Sequence, residues 1–227
     1  MLRTLAPSLT VILIFAASLN AQESDYQTLT AEGQKFVEAG NHTAAMKSFQ
    51  QAAQASAHHA NLHATALVNV ASCQRVLQQY DQAHATLAST FELEGLAPHV
   101  RGNLHLQHGQ LFEDQRRFDD AIAAYTQTKE VERVPGDYVV EAEIACGRCS
   151  FRTKDYAAAE AHFLAVIDHP DTPAIRKVGG RLWLGGTYVA LRQPDNARAQ
   201  FQAVLDDPSA KPWHREQAQD AMKRLTP

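Results

Sequence analysis

Small and bulky apolar positions recur along the chain at one fixed spacing. Ala45, Ala83, Ala121, Ala159 and Ala197 each follow the last by 38 residues. Four residues after each comes a bulky side chain: Phe49, Leu87, Tyr125, Phe163 and Phe201. Twelve residues before each comes a small one: Gly33, Ala71, Gly109, Gly147 and Gly185. Two more columns are mostly aromatic. One holds His42, Tyr80, Phe118, Tyr156 and Pro194, the other Phe36, Gln74, Phe112, Ser150 and Tyr188. Pro98, Pro135, Pro173 and Pro208 or Pro212 stand near the repeat ends. The pattern predicts two amphipathic helices per unit. In the fourth unit they cover about Val139–Thr153 and about Asp155–Ile167. Asp81, Asp119, Asp155 and Asp195 fall at or near the starts of second helices, where a carboxylate caps free N–H groups and opposes the helix dipole. Pro194 suits a helix start and not a helix interior.

One helix pair cannot bury both of its faces, so stability is expected from stacking on neighbours. The Gly/Ala column and the recurring Ala let paired helices approach closely, and the bulky column fills the space between them. A larger side chain at Ala121 or Ala159 is expected to overpack, at a cost of roughly 1–3 kcal/mol. The units fall at about 26–63, 64–101, 102–139, 140–177 and 178–211. A solitary capping helix over 212–225 ("PWHREQAQDAMKRL") then covers the end. Pro212 suits its first turn, Trp213 is expected to pack back on the last pair, and Arg215, Glu216, Asp220, Lys223 and Arg224 to face water.

These columns resemble the tetratricopeptide repeat (TPR) family, whose signature runs Leu-Gly-x-x-Tyr, then Ala-x-x-x-Phe, then Pro. The chain carries it as "LGGTY" (Leu184 to Tyr188) with "ARAQF" (Ala197 to Phe201), and as "HGQLF" (His108 to Phe112) with "AIAAY" (Ala121 to Tyr125). The resemblance covers about residues 26–227. It implies an all-α, right-handed superhelical solenoid of antiparallel helix pairs with a C-terminal capping helix. The family's unit has about 34 residues, and the extra length of each copy here is expected in turns such as "EGLAP" and "ERVPGD". Gln74 and Ser150 depart from one aromatic column and Pro194 from the other.

Residues 1–21 stand apart. Arg3 is their only charge, and Leu9 to Leu19 is an apolar run followed by Asn20-Ala21. This is the layout of a secretory signal peptide, the other reading being an uncleaved N-terminal anchor. Either way residues 22–227 are expected outside the cytoplasm, in a periplasm or secreted. Loss of Arg3 takes the net charge from −4 to −5. That balance offers no concentrated basic face for nucleic acid, and membrane contact is expected only if the segment stays uncleaved.

The candidate chemistry is thin. "ACGRCSF" places Cys146 and Cys149 in the spacing of a redox dithiol. In the repeat register both lie inside a first helix, with Cys149 in the column of Cys73, Leu111 and Thr187. A redox pair more often opens a helix after a strand, where the dipole lowers the thiol pKa. Small packing residues, a disulfide, and a redox or metal site all remain open at this point. The 11 histidines, among them His58, His59, His63, His105 and His108, form no recognised ligand motif. "GGRLWLGG" (Gly179 to Gly186) sits in a predicted helix and so is no phosphate loop. Asp119/Asp120 and Asp206/Asp207 fall at helix ends. No catalytic residue, enzymatic activity or cofactor is expected.

In the TPR family the first helices line a groove that commonly holds a peptide, so the resemblance implies a protein or peptide partner. The helical period gives the candidate face: Thr65, Val68, Ser72 and Arg75; Asn103, Leu106, Gln110, Glu113 and Asp114; Glu141, Ile144, Arg148, Phe151 and Arg152; Leu182, Gly186 and Val189. Phe151 and Leu182 would anchor apolar side chains, and Arg148 and Arg152 would take a partner carboxylate. The competing reading pairs those arginines with Glu113, Asp114 or Glu141. The Lys and Asn set of the family's chaperone-tail clamp is not evident. An exported interaction scaffold, for example an envelope assembly factor, stands against a structural or self-associating module and against thiol redox or metal chemistry at Cys146/Cys149.

Overall fold

The computed structural model describes residues 9–225. Its described residues form eleven helices and no strand: α1 (Leu9–Glu38), α2 (His42–Ala55), α3 (Ala60–Val76), α4 (Tyr80–Phe91), α5 (Pro98–Asp114), α6 (Phe118–Glu130), α7 (Gly136–Thr153), α8 (Tyr156–Asp168), α9 (Ala174–Ala190), α10 (Pro194–Asp206) and α11 (Pro212–Arg224). The helices pair as the periodicity requires, and first helices start at Ala60, Pro98, Gly136 and Ala174, 38 residues apart. The prolines near the repeat ends open the following helices. Pro135 and Pro173 are the N-caps of α7 and α9, and Pro98, Pro194 and Pro212 begin α5, α10 and α11. Of the proposed signal segment, residues 1–8 lie outside the described residues. From Leu9 onward its backbone belongs to α1. No described helix is long and apolar enough to cross a membrane.

The five recurring alanines are all fully buried, at 0% exposure. Each repeat also shows why its small residue is small. A Cβ added at Gly33 would lie 2.6 Å from the Phe49 ring, one at Gly147 2.6 Å from Phe163, and one at Gly185 2.5 Å from Phe201. At Gly109 it would run into the Tyr125 ring. Ordinary carbon contacts are about 3.5–4.0 Å, so an aromatic ring here needs a bare glycine beneath it. The second repeat keeps the same pair with the volume redistributed. Ala71 carries the extra methyl and Leu87 gives up the ring, and both are buried.

The turn inside each repeat is equally regular. Gly40, Gln78, Arg116, Lys154 and Arg192, 38 residues apart, all adopt positive φ between 58° and 73°. Each donates its N–H to the carbonyl three residues back. The residue after each donates to the carbonyl five back, as in Arg117 to Phe112 and Asp155 to Ser150, both 2.9 Å. This is the Schellman closure of a helix end, made in four copies without glycine. Asn41 and Asp155 then cap α2 and α8, their side chains accepting from Ala44 and Ala158 at 3.1 Å. Asp81, Asp119 and Asp195 sit in the first turns of α4, α6 and α10.

The chain divides into two compact units, one ending at Val100 and one beginning at Arg101. In the first, Phe49, Ala45, Val70 and Cys73 form a core flanked by Phe36 and Met46, and Tyr26, Ala52, Ala53 and Ala66 form another. Gln74 is buried but satisfied, accepting a 2.9 Å hydrogen bond from Thr86 on α4. In the second, Tyr125, Ala142, Ala145, Cys146 and Cys149 gather around Ala121, while Phe163, Val178, Leu184, Tyr188, Phe201 and Val204 make a further cluster. Burying each such apolar side chain contributes roughly 1.5–3 kcal/mol. The capping helix α11 packs on α9 and α10, with Ala218 fully buried beneath it. Arg215 does more than face water: it donates to the Asp207 carbonyl at 2.8 Å.

Candidate partner-binding site

The second unit carries an aromatic surface at the end of α7 and along one stripe of α9. Phe151 lies in the last turn of α7, and Lys154 in the left-handed conformation turns the chain into α8, which opens with Tyr156. The Phe151 ring meets Tyr156 edge-on (centroids 5.4 Å, 64°) and Trp183 edge-on (5.8 Å, 71°). Trp183 also lies nearly parallel to the buried Phe163 ring at 5.8 Å. Rings from α7 and α8 thus hold the indole in place while 37% of it stays exposed. An ordered, half-open tryptophan offers a large contact area at little further entropic cost.

Three adjoining cavities use this surface. One of about 590 Å³ is lined by Arg116, Phe118, Phe151, Arg152, Lys154, Tyr156 and Trp183. A second, about 510 Å³, shares Phe151 and Trp183 and adds Leu182, Gly179, Gly186, Trp213 and Gln217. A third, about 240 Å³, joins the first through Arg116, Phe118 and Arg152 and adds Glu113 and Asp114. The sequence pattern leads one to expect Trp213 packed back on the last pair, but it does not pack there fully. It rests against His214 (centroids 3.5 Å) with 51% exposed, because it faces the second cavity.

The charged residues lining the first cavity are cations, whereas Glu113 and Asp114 stand beside Arg116 and Arg152 in the third. Arg148 donates to Glu113 Oε2 at 3.0 Å, and Tyr125 Oη donates to the same oxygen at 2.9 Å. The Arg148 guanidinium is therefore committed to its neighbouring helix, as the competing reading holds. Arg152 differs: it is exposed, lines two of the cavities, and makes no ion pair among the described residues. Of the remaining residues of the candidate face, Leu182 lines the second cavity, and Asn103 and Gln110 are half-buried on α5. Arg75 is half-buried on α3 in the first unit. Trp183, Arg116, Lys154 and Tyr156 escape the sequence reading. Gly179 and Gly186 stand four residues before and three after Trp183 on one helical face, but only the structure shows that nothing packs on them.

Elsewhere in this unit Glu143 bridges Lys129 (2.9 Å) and His162 (2.6 Å). Burial works to raise its pKa, but hydrogen bonds from His162 and Lys129 outweigh it and hold the carboxyl below the usual range. The cysteines are free thiols and buried. Burial pushes Cys146 up to about 11 and Cys149 up to about 12, away from the lowered pKa of a reactive thiol. Cys149 shares its buried column with Cys73, Leu111 and Thr187. Among the described residues no group of three or more His, Cys, Asp or Glu converges in a way that could hold a metal ion.

Residues 106–173 match the sequence model of the family described as tetratricopeptide repeat. No curated protein matches the chain by sequence. Among solved structures, the chain is similar to a tetratricopeptide repeat protein from Parabacteroides merdae, at 17% identity over 89% of this chain and 74% of that one, TM-score 0.62. It is similar to TTC0263, a thermophilic TPR protein of Thermus thermophilus, at 17% identity over 87% and 99%, TM-score 0.58. It is also similar to YrrB, a TPR protein with an unusual peptide-binding site, at 16% identity over 92% and 97%, TM-score 0.58. At such identities the structures establish the fold. With the 38-residue register and the family match over residues 106–173, they show an all-α helical-repeat fold of the tetratricopeptide-repeat type.

Proposed function

We propose that this protein is a non-catalytic scaffold that holds a segment of a partner polypeptide against α7, α9 and α11. The observation that carries the reading is Trp183, fixed by rings of two neighbouring helices yet open to two cavities of several hundred Å³. A monomer core gains nothing from that exposure, whereas an aromatic anchor set in a pocket is the usual centre of a protein interface. That YrrB has a peptide-binding site supports a polypeptide as the occupant. The apolar run behind Arg3 supports an extracytoplasmic setting, periplasmic or secreted, and service in assembling an envelope complex. Capture from an envelope extract tests the proposal. Wild type is expected to retain a polypeptide that Trp183→Ala with Phe151→Ala loses, while Arg75→Glu, in the other unit, retains it. Equal capture by all three would remove this surface from the function.

A further inference from the structure

Helix α9 contains four glycines, and they divide into two kinds. A Cβ at Gly180 would meet Val166 at 3.2 Å, and one at Gly185 the Phe201 ring at 2.5 Å, so packing accounts for both. A Cβ at Gly179 or Gly186 would meet nothing within 4 Å. Neither has a positive φ. Glycine in a helix interior is nonetheless the costlier choice relative to alanine, and nothing in the fold asks for it at these two positions. Both line the cavity beside Trp183, on the stripe that also carries Leu182. Their missing side chains leave a notch on either side of the indole, so an incoming group can reach the α9 backbone.

The adjoining cavity supplies the charge. Arg116, Arg152 and Lys154 line it together with four aromatic residues; Glu113 and Asp114 lie in the joined third cavity, where Glu113 already accepts from Arg148 and Tyr125. All three cations are exposed. Arg116 and Lys154 are held at φ of 61° and 66°, a conformation that favours glycine. The helix-closing turn that recurs in every repeat thus places a long cationic side chain at the rim of one cavity twice, from two successive repeats.

We infer that the notch flanked by Gly179 and Gly186 takes one bulky apolar side chain of an acidic polypeptide segment, whose carboxylates pair with Arg116, Arg152 and Lys154. This rests on the polypeptide-binding reading above and adds the chemistry of the segment. The aromatic wall of Phe151 and Trp183 is common to both cavities, so an apolar residue and its acidic neighbours bind at adjacent places. Bidentate Arg–carboxylate pairing then sets the orientation of the segment.

The test uses the full chain and short fluorescein-labelled synthetic peptides, read by polarisation. One peptide carries a tryptophan between glutamates. Its controls replace the glutamates with lysines, or the tryptophan with alanine. The acidic tryptophan peptide is expected to bind at least about tenfold more tightly than either control and to weaken with added salt. A Cβ at Gly186 meets nothing within 4 Å, so Gly186→Leu places its side chain in the notch. It is expected to abolish binding while thermal stability holds or rises. Arg152→Glu with Lys154→Glu is expected to weaken the acidic peptide alone, by about tenfold or more. Equal binding of the acidic and basic peptides would overturn the inference, as would unchanged affinity in Gly186→Leu or preference for anionic vesicles over the acidic peptide. A partner captured through Trp183 whose bound segment is basic would leave the scaffold reading standing and sink this one.

Discussion

The small-over-large pairing inside each repeat can be tested to destruction at Gly147 and Phe163. A Cβ at Gly147 would stand 2.6, 2.8 and 3.0 Å from Cε1, Cζ and Cδ1 of the Phe163 ring. That ring is fully buried and stacks near-parallel to Trp183 at 5.8 Å, so neighbouring side chains limit how far it can move. Overpacking of this kind costs roughly 1–3 kcal/mol, and alanine's better helix propensity returns up to about 1 kcal/mol. Gly147→Ala should therefore destabilise by about 1–2 kcal/mol. Phe163→Leu alone should cost about 1–2 kcal/mol through the cavity it opens. The double variant recreates the Ala71–Leu87 pair of the second repeat and should be about 1 kcal/mol or more better than the sum of the two. Urea unfolding followed by tryptophan fluorescence suits the measurement, because Trp183 and Trp213 are the chain's 2 tryptophans and both lie in the second unit. Additivity within about 0.3–0.5 kcal/mol, or a stabilised Gly147→Ala, would refute the pairing.

Other expectations follow from the same geometry. Lys154→Gly should stabilise by about 0.5–1 kcal/mol by relieving a positive φ, while weakening any acidic ligand; a lower melting temperature would contradict it. In folded protein at neutral pH, Cys73, Cys146 and Cys149 should resist a thiol reagent, since burial pushes their pKa values up to about 11, 11 and 12. Because the folded state holds these protons more tightly than the unfolded chain, their contribution is complete below the ordinary thiol pKa. It is lost as pH rises through the folded values; rapid labelling at neutral pH would reverse this reading. For Glu143 the sign is opposite. Its lowered folded pKa contributes stability above the ordinary carboxylate range that is lost as pH falls through the folded value. Glu143→Gln should flatten that acid limb in urea titrations at several pH values.

The five-fold alternation of helices was legible because stacking imposes one spacing on small and bulky residues alike, so Ala45 through Ala197 announce the register together. The turn geometry was not. Only Gly40 advertises its left-handed conformation, whereas Gln78, Arg116, Lys154 and Arg192 adopt it because the Schellman closure forces it, and no local composition signals that. Phe151, Arg152 and Leu182 could be placed on the candidate face from helical period alone. Arg148 could not be assigned, since period places a side chain on a face but does not reveal Glu113 within 3.0 Å on the next helix. Trp183 was hidden for a related reason. A tryptophan among apolar helical residues looks like core until the two open glycines beside it are seen to have nothing packed on them.

The most direct test of the polypeptide-docking surface is site-specific photo-crosslinking from position 182, with a photoreactive residue replacing Leu182 at the cavity wall. Adducts are digested and mapped by mass spectrometry. The expected result is a discrete peptide adduct from one partner segment, lost when Gly186→Leu is introduced into the same chain. Failure to form any peptide adduct in the presence of envelope extract, or an adduct untouched by Gly186→Leu, would contradict it.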